Sequence, residues 1–254
     1  METRILSEIK RIEKLHGVTV LHACETGSRA WGFPSPDSDY DIRLIYKHDV
    51  DWYLSLSEKK DTIEYMSEDK EIDLSGWDIK KSLQLLWKSN APLLERIQSP
   101  IVYHSSEGFI ESFHEIAKLC YSPIATMHHY LSMAEKGLNE TKDTSEVKLK
   151  KLFYALRAAT ACKWILDKET MPPILFTIML DELELENDFK KHIYSLIEMK
   201  ATKDESYIHQ KESEIIDFIT EQVHLAKGKY NELSGRKEKH VDLDTYFREV
   251  LKKY

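Results

Sequence analysis

The chain has 254 residues, a formal net charge of −8, 42% hydrophobic residues and 31% charged residues. This balance is ordinary for a folded globular protein and excludes disorder along the whole chain. The negative net charge argues against a protein that coats nucleic acid indiscriminately, but it leaves room for a local basic groove.

The N-terminal part of the sequence alternates between helical and strand patterns. Apolar residues recur at helical spacing over residues 3–15, and the β-branched apolar run over 18–24 predicts a strand. A loop rich in Gly, Ser, Pro and Asp follows over 26–38, and the alternation over 40–46 predicts a second strand. The same reasoning predicts strands over 62–66 and 71–75 and helices over 77–87 and 91–97.

After Pro100 the helical period dominates, which predicts an α+β chain with a mixed sheet first and a helical part second. We place the boundary between residues 1–105 and 106–254. The predicted helices of the second part are 107–119, 123–138, 145–166, 173–183, 187–200, 206–233 and 243–254.

Two acids, Asp39 and Asp41, stand at the start of the second predicted strand. Alternate residues of a strand point to the same face, so both carboxylates are expected to project together. Adjacent carboxylates repel each other unless a cation lies between them. Magnesium binds through one or two carboxylates together with substrate phosphates, so this pair predicts a magnesium site for a triphosphate.

A Gly-Ser pair, Gly27 and Ser28, precedes these acids and is followed by Arg29. Glycine lets the backbone approach a phosphate closely, and backbone N–H groups and a hydroxyl can donate to phosphate oxygens. Arg29 would add a charge-assisted contact. These three residues are therefore candidates for nucleotide binding.

A third acid in another strand would complete the arrangement, because two metal ions about 3.5–4 Å apart can serve the attacking and leaving oxygens. Asp73 fits this position because apolar residues flank it. Glu71 and Asp78 compete with it for the same role.

The run Gly-Ser-Arg-Ala-Trp-Gly-Phe-Pro-Ser-Pro-Asp-Ser-Asp-Tyr-Asp-Ile-Arg over residues 27–43, with Asp-Leu-Ser-Gly-Trp-Asp over 73–78, resembles a known signature. It is similar to the DNA polymerase β nucleotidyltransferase superfamily, over about residues 18–80. Within that superfamily, it resembles a narrower group of predicted nucleotidyltransferases associated with RNA-repair ligases. The narrower likeness extends more weakly to 154–157 and 172–173.

This resemblance implies a catalytic domain over 1–105 whose sheet carries Asp39, Asp41 and Asp73, followed by an α-helical domain over 106–254. It implies transfer of a nucleoside monophosphate from a triphosphate such as ATP to a hydroxyl, with release of pyrophosphate. Mg²⁺ is the implied cofactor, with Mn²⁺ as an alternative. Asp73 is expected to help activate the acceptor, and the implied acceptor is RNA, either tRNA or a broken RNA end.

In the helical part, Lys148, Lys151 and Arg157 are spaced so that some of them share a helix face and could meet phosphates. A solvated face explains the two lysines equally well. Arg157 stands among apolar residues, so it needs a partner, which is either a phosphate or a carboxylate.

Several aromatic and basic residues leave two interpretations open. Trp31 and Phe33 either pack the loop or stack on a base. His128 and His129 point about 100° apart on a helix and favour structural or surface roles over a shared metal ion. The mixed-charge run over 236–240 is either a solvated loop or an RNA contact.

The cellular compartment and the acceptor substrate have weaker signals in the sequence than the acids do. The odd, widely separated cysteines and the lack of a signal peptide or membrane span predict a soluble, cytoplasmic protein without a membrane partner. Oligomeric state has no signal in the sequence. Modification of a protein or a small molecule is the alternative function. A non-catalytic nucleotide-binding or antitoxin-like module, or a helical interaction protein, is a further alternative.

Overall fold

The computed structural model describes residues 1–141, 145–236, 238 and 240–254. Two compact units are present. The first comprises Met1–Ala30, Asp39–Tyr121 and Lys237–Tyr254, and the second comprises Trp31–Ser38 and Ser122–Arg236. Among the helices described, none combines the length and the apolar character that crossing a membrane requires.

Helices and strands alternate in the first part of the chain, and helices dominate the rest. In chain order the elements are α1 (Glu2–His16), β1 (Thr19–Glu25), α2 (Gly27–Trp31), β2 (Tyr40–Lys47), α3 (Val50–Tyr53), β3 (Thr62–Met66), β4 (Ile72–Asp78), α4 (Ile79–Trp87), α5 (Ala91–Ile97), β5 (Val102–Ser105), α6 (Phe109–Cys120), α7 (Pro123–Thr141), β6 (Glu146–Lys148), α8 (Leu149–Lys168), α9 (Phe176–Glu182), α10 (Asn187–Lys200), β7 (Ile208–Gln210), α11 (Ser213–Lys229), a 3₁₀ turn (Tyr230–Glu232) and α12 (Leu243–Lys253).

The first unit is built around a five-stranded sheet with the order β3-β4-β2-β1-β5. Strands β2 and β4 run parallel, and the other neighbouring pairs run antiparallel. This confirms the predicted mixed sheet. The parallel pair matters for function, because it sets Asp41 directly beside Asp73.

One face of this sheet is covered by α1, whose Ile5, Ile9 and Ile12 share a helix face and are buried. Ile42 and Leu44 of β2, together with Ile72 and Leu74 of β4, belong to the same apolar core. Because strand side chains alternate between faces, the odd-numbered residues of β2 and β4 project from the opposite face. That face therefore carries the acids.

The second unit is helical, with α7, α8 and α11 as mutual neighbours. Helices α7 and α8 approach closely at Gly137, where an added Cβ would lie 2.4 Å from the Cβ of Ala155. A larger residue at either position would force the two helices apart. The helical character of this part was predicted.

Short strands account for most of the differences from the predicted elements. The predicted helices over 145–166 and 206–233 are wrong at their first turns, which form β6 and β7, with Val147 paired to His209. Strand β5 and the five-residue helix α2 were not predicted. Elements of three to five residues show a recognisable period only where their residues alternate clearly, as those of β3 do.

The compact units also differ from the division at residue 105. Helices α6 and α12 lie in the first unit, and the segment Trp31–Ser38 lies in the second. Phe109 and Phe113 of α6 are fully buried there. In the second unit, Phe33 contacts Phe153, with ring centroids 5.0 Å apart. Helical spacing identifies an apolar face but not the element that covers it.

Candidate active site

Asp41 and Asp73 are direct neighbours on the acid-bearing face of the sheet. They are register partners in the parallel ladder between β2 and β4, as are Tyr40 and Ile72 next to them. Their side chains are 33% and 36% exposed. Two carboxylates thus lie side by side on adjacent strands, within reach of solvent.

Asp39 precedes the first residue of β2 and is exposed. Strand alternation places it on the same side as Asp41. Arg29 fixes the backbone just before β2, because its Nε donates to the Asp39 carbonyl oxygen at 3.2 Å. The Arg29 guanidinium also lies 3.9 Å from the centroid of the Tyr40 ring.

The Gly-Ser pair begins α2 instead of lying in an open turn. Gly27 has a φ of 66°, a conformation that glycine adopts at low cost, and an added Cβ would lie 2.4 Å from Asp41 Oδ2. Thr26 binds the same residue, because its backbone N–H donates to the Asp41 carbonyl oxygen at 2.9 Å. Ser28 is buried beside this contact. The glycine therefore makes room for the Asp41 carboxylate.

Glu25 is a site residue that the sequence analysis missed. Its side chain is fully buried, and its Oε1 accepts a hydrogen bond from the Asp41 backbone N–H at 2.6 Å. The hydroxyl of Tyr103 donates to the other carboxylate oxygen. Burial raises the pKa of Glu25, and the two hydrogen bonds oppose that shift. Only the three-dimensional pairing of β1 with β2 and β5 could reveal this role.

Arg43 is a second residue that was missed, although it lies in the recognised sequence run. Its Nη2 donates to Asp41 Oδ1 and to Asp73 Oδ2, at 2.9 Å in each case. Its position two residues after Asp41 puts it on the same strand face. A cation therefore does lie between the two carboxylates, and it belongs to the protein.

The competing acids are engaged elsewhere. Glu71 forms an ion pair with Arg4 at 3.0 Å. Asp78 caps α4 by accepting from the Lys80 backbone N–H at 2.8 Å, and it also accepts from the Tyr53 hydroxyl at 2.7 Å. Among the three candidates for the third position, Asp73 is the one beside Asp41.

The chemistry of these donors suits a divalent cation. Carboxylate oxygens are the ligands that magnesium prefers, and the side chains of Asp41 and Asp73 are partly exposed. Within the part of the chain that the structure describes, no three His, Cys, Asp or Glu side chains form a ready metal cluster. The Arg43 guanidinium lies between Asp41 and Asp73 and binds one oxygen of each.

The predicted lysines of the helical unit lie on a pocket of about 650 Å³. Lys148 and Lys151 are both exposed. Lys151 forms an ion pair with Glu140 at 2.7 Å. The charged residues that line the pocket are Lys136, Lys148, Lys150, Lys151, Asp37, Glu140 and Glu205.

Arg157 lies away from solvent, with only 2% of its surface exposed. Its guanidinium carbon is 4.5 Å from the centroid of the Trp31 ring, and its Nη2 donates to the Ile174 carbonyl oxygen at 3.2 Å. The sequence led us to expect a phosphate or a carboxylate as the partner of Arg157. These two contacts are instead with an aromatic ring and a backbone carbonyl. The predicted shared helix face is wrong, because Lys148 ends β6 immediately before α8 and Arg157 is buried, whereas Lys151 is exposed on α8.

The other aromatic and histidine candidates are buried or contact aromatic rings of the protein. Trp31 and Phe33 are both buried in the second unit, which favours packing over base stacking. His128 and His129 contact Tyr230 and Tyr130 respectively, with ring centroids 5.0 and 5.3 Å apart. The run over 236–240 lies partly outside the described residues.

Comparison with known proteins gives three findings. Residues 1–249 match the family model described as the RNA repair pathway DNA polymerase beta family. A protein of Bacillus subtilis (strain 168), known as uncharacterized protein YcgL, is 39% identical over 238 residues, covering 94% of this chain and 91% of that protein. A nucleotidyltransferase-like protein from Exiguobacterium sibiricum aligns over 87% of this chain and 76% of its own, with 9% identity and a TM-score of 0.36.

The family match spans nearly the whole chain and therefore includes both the acid-bearing sheet and the helical part. The likeness to the Bacillus subtilis protein also covers most of both chains. The chain belongs to the RNA repair pathway DNA polymerase beta family and is a nucleotidyltransferase.

Proposed function

We propose that this nucleotidyltransferase moves a nucleoside monophosphate from a nucleoside triphosphate to a hydroxyl at an RNA end. The acceptor oxygen forms a bond to the α-phosphorus, the α–β phosphoanhydride bond breaks, and pyrophosphate leaves. The hydroxyl loses its proton as the new bond forms. Asp73 is the residue that we assign to assist this step.

The register of β2 with β4 is the observation that carries the proposal. It sets Asp41 beside Asp73, and Gly27 leaves room at Asp41 Oδ2 that a Cβ would fill. Two partly exposed carboxylates side by side, joined by one guanidinium, concentrate negative charge at the place where a divalent cation and a triphosphate would bind.

We assign Asp39, Asp41 and Asp73 to hold Mg²⁺, with Mn²⁺ as an alternative. When bound, the metal supplies charge stabilisation to the phosphates and makes the acceptor hydroxyl easier to deprotonate. Glu25 accepts a hydrogen bond from the Asp41 backbone N–H, and this contact positions the Asp41 side-chain carboxylate. The protein side chains thus determine where the metal would lie.

We assign the phosphates of the nucleotide to Gly27, Ser28 and Arg29 in the first unit. Within the second unit, Lys148 and Lys151 are separate candidates for phosphate binding, since both are exposed and line a lysine-rich pocket of that unit. Arg157 is left out of this assignment because its guanidinium is buried against Trp31.

The choice of RNA as acceptor is supported by the family description, which names an RNA repair pathway. It is compatible with a net charge of −8, because contact with an RNA end requires far fewer phosphate contacts than coating a duplex. A protein side chain and a small-molecule hydroxyl are the other acceptors to be tested.

The test is to incubate the protein with Mg²⁺, mixed cellular RNA and each of the four α-labelled nucleoside triphosphates in turn. Asp73→Asn is compared with Glu71→Gln, which changes an acid two residues away that pairs with Arg4. We expect label in RNA, a loss of at least about 100-fold in Asp73→Asn, and little change in Glu71→Gln.

The other outcomes redirect the assignment. Label on the protein itself would support protein modification, and label in a small-molecule fraction would support a small-molecule acceptor. Equal activity of Asp73→Asn and wild type would remove Asp73 from the site. Absence of label in every fraction, despite triphosphate binding, would contradict the proposed transfer to RNA.

A further inference from the structure

Arg43 is held by four hydrogen bonds in the candidate active site. Its Nη2 donates to Asp41 Oδ1 and Asp73 Oδ2, and its Nη1 donates to the carbonyl oxygens of Ile42 at 3.1 Å and Asp73 at 2.9 Å. Its side chain is only 18% exposed. Charge-assisted contacts of this kind fix a guanidinium in one orientation.

Nη2 binds one of the two oxygens of each carboxylate, so a divalent cation that uses either of these oxygens competes with the guanidinium. A guanidinium and a metal ion are both positive, and they compete for the same lone pairs. The metal therefore meets a site whose negative charge is already partly neutralised. The two Nη1 contacts reach backbone carbonyls, so Arg43 retains partners in the strands when Nη2 gives up the carboxylates.

We propose that Arg43 is the resident counter-charge of the acid pair. It holds Asp41 and Asp73 in register before the metal arrives, and its Nη2 releases them when the metal binds. Arg43 is thus a positioning residue that weakens metal binding in the absence of nucleotide. Extra coordination from a triphosphate then favours binding of metal and nucleotide together. This inference rests on the metal site of the proposed function.

The experiment measures Mn²⁺ affinity by electron paramagnetic resonance, without nucleotide, for wild type, Arg43→Gln and Arg4→Gln. Arg4 is a matched control because it also joins two carboxylates, Asp69 and Glu71, in the same unit. We expect Arg43→Gln to bind Mn²⁺ more tightly, within the roughly 5-fold to 150-fold range typical of coupled sites, and Arg4→Gln to match wild type.

Equal Mn²⁺ affinity in wild type and Arg43→Gln, or weaker binding in the variant, would overturn the inference. Weaker binding is the result expected of a purely structural arginine. Lack of Mn²⁺ binding by all three proteins would overturn the metal site of the proposed function, and the inference with it. Tight Mn²⁺ binding by wild type that is unchanged in Arg43→Gln would support the metal site of the proposed function and overturn only the role of Arg43.

A second measurement uses wild-type protein, so it does not depend on a variant that folds. Nitrogen-15 NMR of the arginine side chains reports how fast the Arg43 guanidinium rotates and exchanges its hydrogens. We expect both processes to accelerate on addition of Mg²⁺, because Nη2 loses its carboxylate partners. Unchanged exchange at saturating Mg²⁺ would contradict the proposed release.

Discussion

Gly27 lies against the Asp41 carboxylate so closely that a Cβ at this position would stand 2.4 Å from Oδ2. We therefore expect Gly27→Ala to displace the carboxylate and to lower nucleotidyl transfer by about 100-fold, the usual effect of a displacement near 1 Å at a reacting centre. The steady-state rate with labelled triphosphate, with folding checked by circular dichroism, measures this.

Gly17→Ala is the matched control, because Gly17 also has a positive φ, 60°, but an added Cβ would meet nothing within 4 Å. Gly17→Ala should cost about 1–2 kcal/mol of unfolding free energy from backbone strain alone and leave activity unchanged. A similar loss of activity in both variants would mean that strain, and not the contact with Asp41, is responsible.

Glu25→Gln tests the buried acid behind Asp41. Burial raises the native pKa of Glu25 above its ordinary value of 4.5. The stability associated with its protonated form is therefore fully present below that ordinary value and is lost as pH rises through the native pKa. Urea unfolding across this window should show wild type losing stability relative to Glu25→Gln. Parallel curves for the two proteins would contradict the raised pKa.

Arg157→Ala should act on stability and not on nucleotide binding. Loss of a buried side chain that packs on Trp31 and bonds the Ile174 carbonyl should lower the free energy of unfolding by about 2–5 kcal/mol. Lys151→Ala, which removes an exposed pair with Glu140, should cost about 0–1 kcal/mol. Urea denaturation measures both, and equal losses would remove the distinction.

Lys148→Gln and Lys151→Gln test the lysine pocket. If the pocket holds phosphates, each substitution should weaken triphosphate binding several-fold, and the binding should be less sensitive to salt than in wild type. Lys191→Gln is a control, because Lys191 is an exposed helical lysine outside the residues that line this pocket. Fluorescence titration with a labelled triphosphate measures these affinities. Unchanged affinity in both pocket variants would exclude the assignment.

The thiols provide a test of the core of each unit. Cys24, Cys120 and Cys162 are buried thiols, and burial raises the pKa of Cys24 and of Cys162 to about 12. Ellman's reagent should therefore react with all three in urea and very slowly in the native protein. Rapid reaction of one thiol in native buffer would show that its unit opens locally.

Much of the fold was predictable because many of its elements have clear periods. The strand over Thr62–Met66 and the helices over Ala91–Ile97 and Asn187–Lys200 have the predicted bounds. Asn90 and Asp78 cap the helices that follow them. These features depend on local chemistry, and local chemistry is what spacing reports.

The surroundings of the acids were less predictable because they depend on pairing across the sheet. The adjacency of Asp41 and Asp73 follows from the parallel register, and the contact of Glu25 with the Asp41 N–H follows from the pairing of β1 with β2. Arg43 carried no separate signal, since an arginine in a half-buried strand commonly faces solvent. Sequence spacing suggested which residue types to consider, and strand pairing determined which of them meet.

The parallel ladder has a practical consequence for engineering the protein. The segment between the end of β2 at Lys47 and the start of β4 at Ile72 includes an exposed stretch over residues 54–60. A peptide tag or fluorophore inserted there changes only loop length, which costs little. Deletion of Ile42 is a different matter, because it would turn Asp39 and Asp41 away from Arg43 and toward the apolar core.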